Sequence, residues 1–276
     1  MSDVSCWDWA VLQAGTLRLD GGGMFGVVPR AIWSRLTLPD DANRIGLQTN
    51  CLLLRSDDRT VLVETGCGDK WSAKTRTIFA IEDRTIIDAL GEQGVSPGDI
   101  TDVMVTHLHF DHAGGLTRVD GDDVVPVFEN AAVHVQGREW EDALANRSTM
   151  TGTYLRTHLD PIADRVSLLD GEQVILPGVR SWPMPGHTWG QQAVLIDTAE
   201  GVVCFPGDVC PTRHHIGAPY SMGYDMLPYQ NMLSKRLLLE RAAAESWTLV
   251  LDHDPDHAVF RAHADGDWYA VEAVVP

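Results

Sequence analysis

Cysteine is scarce in this chain and poorly arranged for pairing. Among 276 residues there are five, Cys6, Cys51, Cys67, Cys204 and Cys210. The number is odd and no C-x-x-C pair occurs, which argues against a disulfide framework or a thiolate metal site. Free thiols suit a reducing compartment, so a cytoplasmic protein is expected. Basic residues are also short: Lys plus Arg is 21 against 39 for Asp plus Glu, a formal charge of −18. Such a surface repels phosphate backbones and anionic membranes, and neither nucleic acid nor a membrane is expected as a partner. No apolar run approaches the roughly 20 residues of a membrane span. The first residues, Asp3, Cys6, Trp7 and Asp8 among them, show neither the basic nor the apolar region of a secretory leader. Repeats, low-complexity tracts and long linkers are missing, so one domain is expected over 1–276, with 1–45 as an extension that shapes a pocket or a dimer contact.

What is present reads as strands with helices interspersed. Cys51-Leu52-Leu53-Leu54 and Thr60-Val61-Leu62-Val63-Glu64 are short apolar runs, with Asp57 and Asp58 supplying the turn between them. Asp102-Val103-Met104-Val105, Ala132 to Val135, Gln173 to Leu176 and Thr248 to Leu251 read the same way. Ala193 to Asp197 and Val202 to Phe205 predict a hairpin around Glu200-Gly201. Helices are predicted from Thr85 to Gln93, stopped by Gly94, and from Gln230 to Ala244 with Leu233, Leu237 and Leu238 on the apolar face. The fold class is α/β (α+β), and a helix–sheet–sheet–helix layering would cover both sheets.

One segment carries the chemistry. Thr106-His107-Leu108-His109-Phe110-Asp111-His112-Ala113-Gly114-Gly115 places three histidines and an aspartate at the end of a buried strand. Alternate spacing puts His107 and His109 on one side of an extended chain, where both reach one ion. Asp111 and His112 then turn toward a second, and Gly114 and Gly115 let the backbone reverse beneath them. His187 in Pro-Gly-His-Thr, Asp208 in Pro-Gly-Asp and His253 in Asp-His-Asp-Pro sit at three further predicted strand ends. Strand ends that point one way converge, so the seven residues describe one pocket. Imidazole and carboxylate ligands suit zinc first, with manganese, iron or cobalt as alternatives. The other histidines, His134, His158, His214, His215, His257 and His263, default to structural roles, although His214 and His215 follow Asp208 closely enough to line a pocket.

The segment resembles the H-x-H-x-D-H signature of the metallo-β-lactamase superfamily, and the later Gly-His, Gly-Asp and final His follow that superfamily's ligand order. The resemblance spans about Thr49 to Pro255. It implies an αββα sandwich holding two divalent metal ions: His107, His109 and His187 on the first, Asp111, His112 and His253 on the second, Asp208 bridging. Asp20-Gly21-Gly22-Gly23-Met24-Phe25-Gly26 with Trp33, and Gly207-Asp208-Val209-Cys210-Pro211-Thr212, resemble the quorum-quenching lactonase and methyl-parathion-hydrolase branch. Two positions depart from it: Pro211 stands where acyl-homoserine lactonases carry a tyrosine, with Tyr220, Tyr224 or a histidine as substitutes, and Glu64-Thr65-Gly66 replaces Asp-Thr-Gly.

The resemblance implies a hydrolase whose metal-bridging hydroxide attacks a small-molecule lactone or ester, an acyl-homoserine lactone among them. Asp111 and Asp208 are its expected catalytic carboxylates, Asp111 as a proton shuttle. Met24, Phe25, Trp33, Trp189, His214 and Tyr224 are the candidate pocket walls, with Met222 beside them. A β-lactamase, a phosphotriesterase and a metal-binding module without activity are the rival readings, and a homodimer is the expected assembly.

Overall fold

The computed structural model describes residues 6–274; the reading that rests on Asp3 lies outside them. The strands are β1 (Asp8–Asp20), β2 (Arg44–Arg55), β3 (Thr60–Val63), β4 (Asp102–Met104), β5 (Thr117–Asp120), β6 (Asp123–Pro126), β7 (Ala132–Gln136), β8 (Val166–Leu169), β9 (Gln173–Leu176), β10 (Val179–Pro183), β11 (Gln192–Thr198), β12 (Gly201–Phe205), β13 (Thr248–Val250), β14 (Val259–Asp265) and β15 (Trp268–Ala273). They form a six-stranded sheet, β1-β2-β3-β4-β7-β8, and a seven-stranded sheet, β15-β14-β13-β12-β11-β10-β9, with β5-β6 as a small hairpin. The predicted hairpin is β11–β12, paired from Val194↔Phe205 to Thr198↔Gly201.

The period-2 alternation of the strands builds three apolar layers. Leu52, Leu54, Val61, Val63 and Met104 of the first sheet meet Val194, Ile196, Val203, Phe205 and Val250 of the second. The intervening residues face outward. Leu53, Leu62 and Val103 pack under Ile86, Ala89 and Leu90 of the helix Ile86–Glu92. Leu195, Cys204 and Leu249 pack under Leu238, Leu239 and Ala242 of the helix Pro228–Ala244. This is the expected layering of helix, sheet, sheet and helix.

The face of the long helix differs from the expectation. Leu238 is buried, but Leu233 and Leu237 are 41% and 46% exposed. Asn231, Ser234 and Lys235 take the inward positions instead. Each has a specific partner: Asn231 Nδ2 donates to Asp225, Ser234 Oγ to the Pro185 carbonyl, and Lys235 Nζ to the Tyr220 carbonyl. Hydrogen bonds to the loops around the site act with the packing of Leu238, Leu239 and Ala242 to set the rotation of this helix.

The N-terminal segment joins the sheet. Strand β1 pairs antiparallel with β2 from Asp8↔Arg55 to Asp20↔Arg44, with a register shift between Gln13 and Thr16. The glycine run after it forms a short helix, Gly21–Phe25, capped by Asp20, whose Oδ1 accepts from Gly23 N at 2.9 Å.

Candidate metal centre

Four chain segments meet at one edge where the sheets abut. His107, His109, Asp111 and His112 follow β4, His187 follows β10, Asp208 follows β12 and His253 follows β13. Strands β3 and β4 run parallel, as do β12 and β13, so the ends after β4 and after β12 and β13 carry their loops at this edge. Gly114 and Gly115 act differently from the expected tight reversal. A Cβ on Gly114 would stand 2.0 Å from the Cys67 carbonyl oxygen, and one on Gly115 would stand 2.1 Å from that of Thr65. The two glycines let the motif lie directly against the Glu64–Cys67 loop. That loop answers with two bonds to the His112 carbonyl, from Thr65 N at 3.0 Å and Thr65 Oγ1 at 2.6 Å.

Six of the seven expected ligands fall in two overlapping groups. Donor atoms of His107, His109, His187 and Asp208 lie within 4.8 Å of one another, and so do those of His112, Asp208, Asp252 and His253. Asp208 belongs to both. Asp111 faces the second group, with Oδ1 3.7 Å from His112 Nε2 and Oδ2 3.7 Å from His253 Nε2. Asp252 was not expected from the sequence. It immediately precedes His253, so the only available signal was another carboxylate beside a predicted ligand.

Proton bookkeeping shows that these groups fit cations. His187 Nδ1 donates to Asp225 Oδ1 at 2.8 Å, and His253 Nδ1 donates to the Gln48 carbonyl at 2.8 Å. In a neutral imidazole the other nitrogen is then a lone pair. Those lone pairs face neighbouring rings: His187 Nε2 is 2.9 Å from His109 Nδ1, and His253 Nε2 is 3.2 Å from His112 Nε2. His107 Nε2, His109 Nε2, Asp208 Oδ1 and both oxygens of Asp252 are buried without a hydrogen-bond partner among the described residues. Unpartnered buried nitrogen and carboxylate atoms converging from four segments are what a dinuclear metal site requires.

The electrostatics divide along the same lines. Burial, reinforced by neighbouring imidazoles, pushes His107 and His109 well below the ordinary histidine pKa. Both therefore stay neutral, as a ligand must. Burial opposes charge on His112 and His187 too, but there it is outweighed. Glu64, Asp111 and Asp208 raise His112, and Asp208 and Asp225 raise His187. Asp208 is itself held below the carboxylate range, because His187, His253 and His112 overcome its burial. Asp252 goes the other way, raised by burial and by the adjacent Asp208.

A supporting shell fixes the ligands. Glu64, at φ +67°, accepts from Thr106 N at 2.6 Å and sets its other oxygen 3.4 Å from His112 Nδ1. Glu139 is completely buried and accepts from Leu108 N at 3.0 Å, Tyr154 Oη at 3.0 Å and Thr188 Oγ1 at 2.6 Å. One carboxylate thus joins the loop of His107 and His109 to that of His187. Asp225 takes Met222 N and Asn231 Nδ2 on the oxygen it does not offer to His187. Lys70 Nζ donates to the carbonyls of Gly114 and Thr117, and burial lowers its pKa to about 8. Glu139, Asp225 and Lys70 stand 31 to 49 positions from the groups they hold, and Glu139 and Lys70 carry no local signature.

Above the ligands lies a cavity of about 500 Å³, with His109, Asp111, His187, Asp208 and His253 in its wall. Of the expected wall residues, Met24, Met222 and Tyr224 line it, but four others are placed elsewhere. Phe25 and Trp33 are buried, stacked on each other at 5.3 Å, with Phe25 also against His215. The glycine helix turns Phe25 into the core, and Trp33, on a second short helix Arg30–Trp33, packs over Gly21, where a Cβ would stand 2.3 Å from its ring. Trp189 sits under the Arg138 guanidinium, and His214 lines a separate, smaller cavity with Leu47 and Arg213. The apolar walls come instead from Leu19, Trp71, Phe79, Phe110, Met150 and Leu155.

Comparison with known proteins agrees with this geometry. The family model described as the metallo-beta-lactamase superfamily matches residues 44–253. An N-acyl homoserine lactonase of Bacillus thuringiensis is 28% identical over 225 residues, covering 76% of this chain and 82% of that protein. A crystal structure of a probable metal-dependent hydrolase from Staphylococcus aureus superposes with a TM-score of 0.87 at 27% identity, over 99% of this chain and 100% of that one. A dizinc quorum-quenching lactonase in complex with a homoserine product shares the fold with a TM-score of 0.81 at 18% identity, over 100% of this chain and 99% of that one. The chain is a metal-dependent hydrolase and belongs to the metallo-beta-lactamase superfamily.

Proposed function

We propose that this hydrolase opens a lactone or ester ring or chain with an apolar acyl arm, an acyl-homoserine lactone being the first candidate. The observation that carries this is the cavity: a floor of histidines and aspartates under walls of Trp71, Phe79, Phe110, Met150 and Leu155. A volume of about 500 Å³ falls within the range of small-molecule pockets. The related lactonase of Bacillus thuringiensis supports the same substrate class.

His107, His109, His187 and Asp208 would hold one divalent cation, and Asp111, His112, His253 and Asp208 the other, with zinc the proposed metal because imidazole dominates the first set. Two such ions, when bound, supply an activated water at neutral pH and polarise the substrate carbonyl. The chain does the rest. Asp225 and the Gln48 carbonyl hold His187 and His253 in the tautomer that aims Nε2 inward. Asp111 borders the cavity, so its carboxylate can take the proton of the attacking water and return it to the departing ring oxygen, giving the hydroxy acid. Tyr224 is the group proposed to serve in place of a tyrosine at Pro211. It lines the cavity, whereas Tyr154 donates its hydroxyl to Glu139.

All five thiols are free, which supports the cytoplasmic assignment, and no helix among the described residues is long and apolar enough to cross a membrane. Val27, Ile32, Leu36 and Leu38 are exposed along one short segment, and that patch is the proposed homodimer contact.

The test is metal content by plasma emission together with a turnover screen of an acyl-homoserine lactone, an aryl lactone, paraoxon and a chromogenic cephalosporin. About two ions per chain with lactone turnover is the expected result. Turnover of the cephalosporin or paraoxon alone would replace the lactone reading. No bound metal after supplementation would sink it.

A further inference from the structure

We propose that Asp252 is an additional ligand of the metal centre, closing the His112–His253 position on the side away from the cavity. This rests on the reading that the site holds two divalent cations. Asp252 is 1% exposed, no N–H or hydroxyl donor among the described residues reaches either of its oxygens, and its close polar neighbour is another carboxylate, Asp208. An ionised carboxylate buried without donors is too costly to persist, so this one needs a cation or a proton. The nearest basic group does not meet that need. His112 Nδ1 is 4.0 Å from Asp252 Oδ2 but 3.4 Å from Glu64 Oε2, so its N–H faces Glu64 first. What Asp252 does have within reach is the donor set itself: one of its oxygens lies within 4.8 Å of donor atoms of His112, Asp208 and His253.

Charge points the same way. Glu64, Asp111, Asp208 and Asp252 each place an oxygen within 4.0 Å of a His112 nitrogen, a density of buried acid that cations offset. The two unshared aspartates also divide the space, since Asp111 borders the cavity and Asp252 does not. With Asp252 included, the second position offers His112, His253, Asp111, Asp208 and Asp252, three of them carboxylates. The first offers three imidazoles and one carboxylate. The second position is therefore the harder of the two, richer in oxygen donors than the first.

The probe is cobalt or zinc alone, added to chelator-treated protein without substrate, so a failed lactone screen would leave the result standing. In wild type, cobalt titration should give two equivalents, each with its own visible band. In Asp252→Asn the band of one equivalent alone should shift, and chelator competition should show that ion weakened by more than the roughly 10- to 100-fold that loss of an outer partner costs. The melting temperature of the metal-free form should rise, because an unpartnered buried carboxyl is gone. Two ions held with wild-type affinity and spectrum in the variant would show that Asp252 only fills space. Should Asp252→Asn fail to fold, Asp252→Glu is measured in the same way: a changed band for one ion alone supports ligation, and two wild-type bands with wild-type affinity would overturn it.

Discussion

Asp225 Oδ1 lies 2.8 Å from His187 Nδ1, and the same carboxylate is pinned from behind by Met222 N and Asn231 Nδ2. A ligand's orientation is thereby tied to the first turns of the helix Pro228–Ala244. Asp225→Ala should leave the fold intact and weaken one metal ion about 10- to 100-fold, the usual effect of removing such a partner. Competition with a chromogenic chelator reads this directly, and wild-type affinity in the variant would remove Asp225 from the support of His187.

Tyr224 should matter to turnover through its hydroxyl. Tyr224→Phe keeps the ring in the cavity wall and is expected to lower kcat on a lactone by roughly 10-fold or more, with little change in metal content, as for loss of one donor to a developing charge. An unchanged kcat would assign Tyr224 to packing alone.

The apolar walls predict a chain-length series. Each methylene buried is worth about 0.8 kcal/mol, so kcat/KM should rise by up to about 4-fold per added carbon until the cavity is full. Trp71→Ala or Phe110→Ala should flatten that slope. A flat series in wild type would mean that the arm of the substrate lies elsewhere.

Away from the metals, Asp102 provides a pH test. Its carboxylate meets His134 Nε2 and Arg59 Nη1, each at 2.9 Å. Burial opposes ionisation, but bonds from His134, Thr101 and Arg59 prevail and hold the pKa below the ordinary value. A depressed carboxylate stabilises the fold above its unfolded pKa, about 3.9, and that contribution disappears as pH falls through the folded value. Asp102→Asn should cost about 1–3 kcal/mol at pH 7 and much less near pH 3. Urea unfolding of chelator-treated protein at both pH values checks it, and an equal deficit at both would refute the sign.

The candidate ligands stand out in the sequence because they are dense and local: four of them fall within six positions, and the other three follow apolar runs that end in Gly-His, Gly-Asp and Asp-His. The sheets were legible wherever a strand is buried on both faces, as in Cys51 to Leu54. What holds the ligands was not legible. Glu139, Asp225 and Lys70 are ordinary polar residues in sequence, and only the fold carries them to His187, Leu108 and Gly114. The pocket walls failed for a related reason. Apolar residues at Phe25 and Trp33 are equally good core, and two short helices, Gly21–Phe25 and Arg30–Trp33, turn them inward, leaving Phe110, inside the histidine motif, to line the cavity. Leu233 and Leu237 misled because the face that buries Leu238, Leu239 and Ala242 continues through Asn231, Ser234 and Lys235, polar residues that the loops around the site satisfy.

The seam between the two sheets has a mechanical meaning. Each proposed ion takes ligands from both: the loop after β4 belongs to the first sheet, and those after β10, β12 and β13 belong to the second. An ion in either position is a cross-link between the halves of the sandwich, closing a loop of 80 residues from His107 to His187 in one case and 141 from His112 to His253 in the other. A chelator would then act on this protein much as a reductant acts on a disulfide-bonded one. It would unclasp the halves at one edge while the apolar layer between them stayed packed.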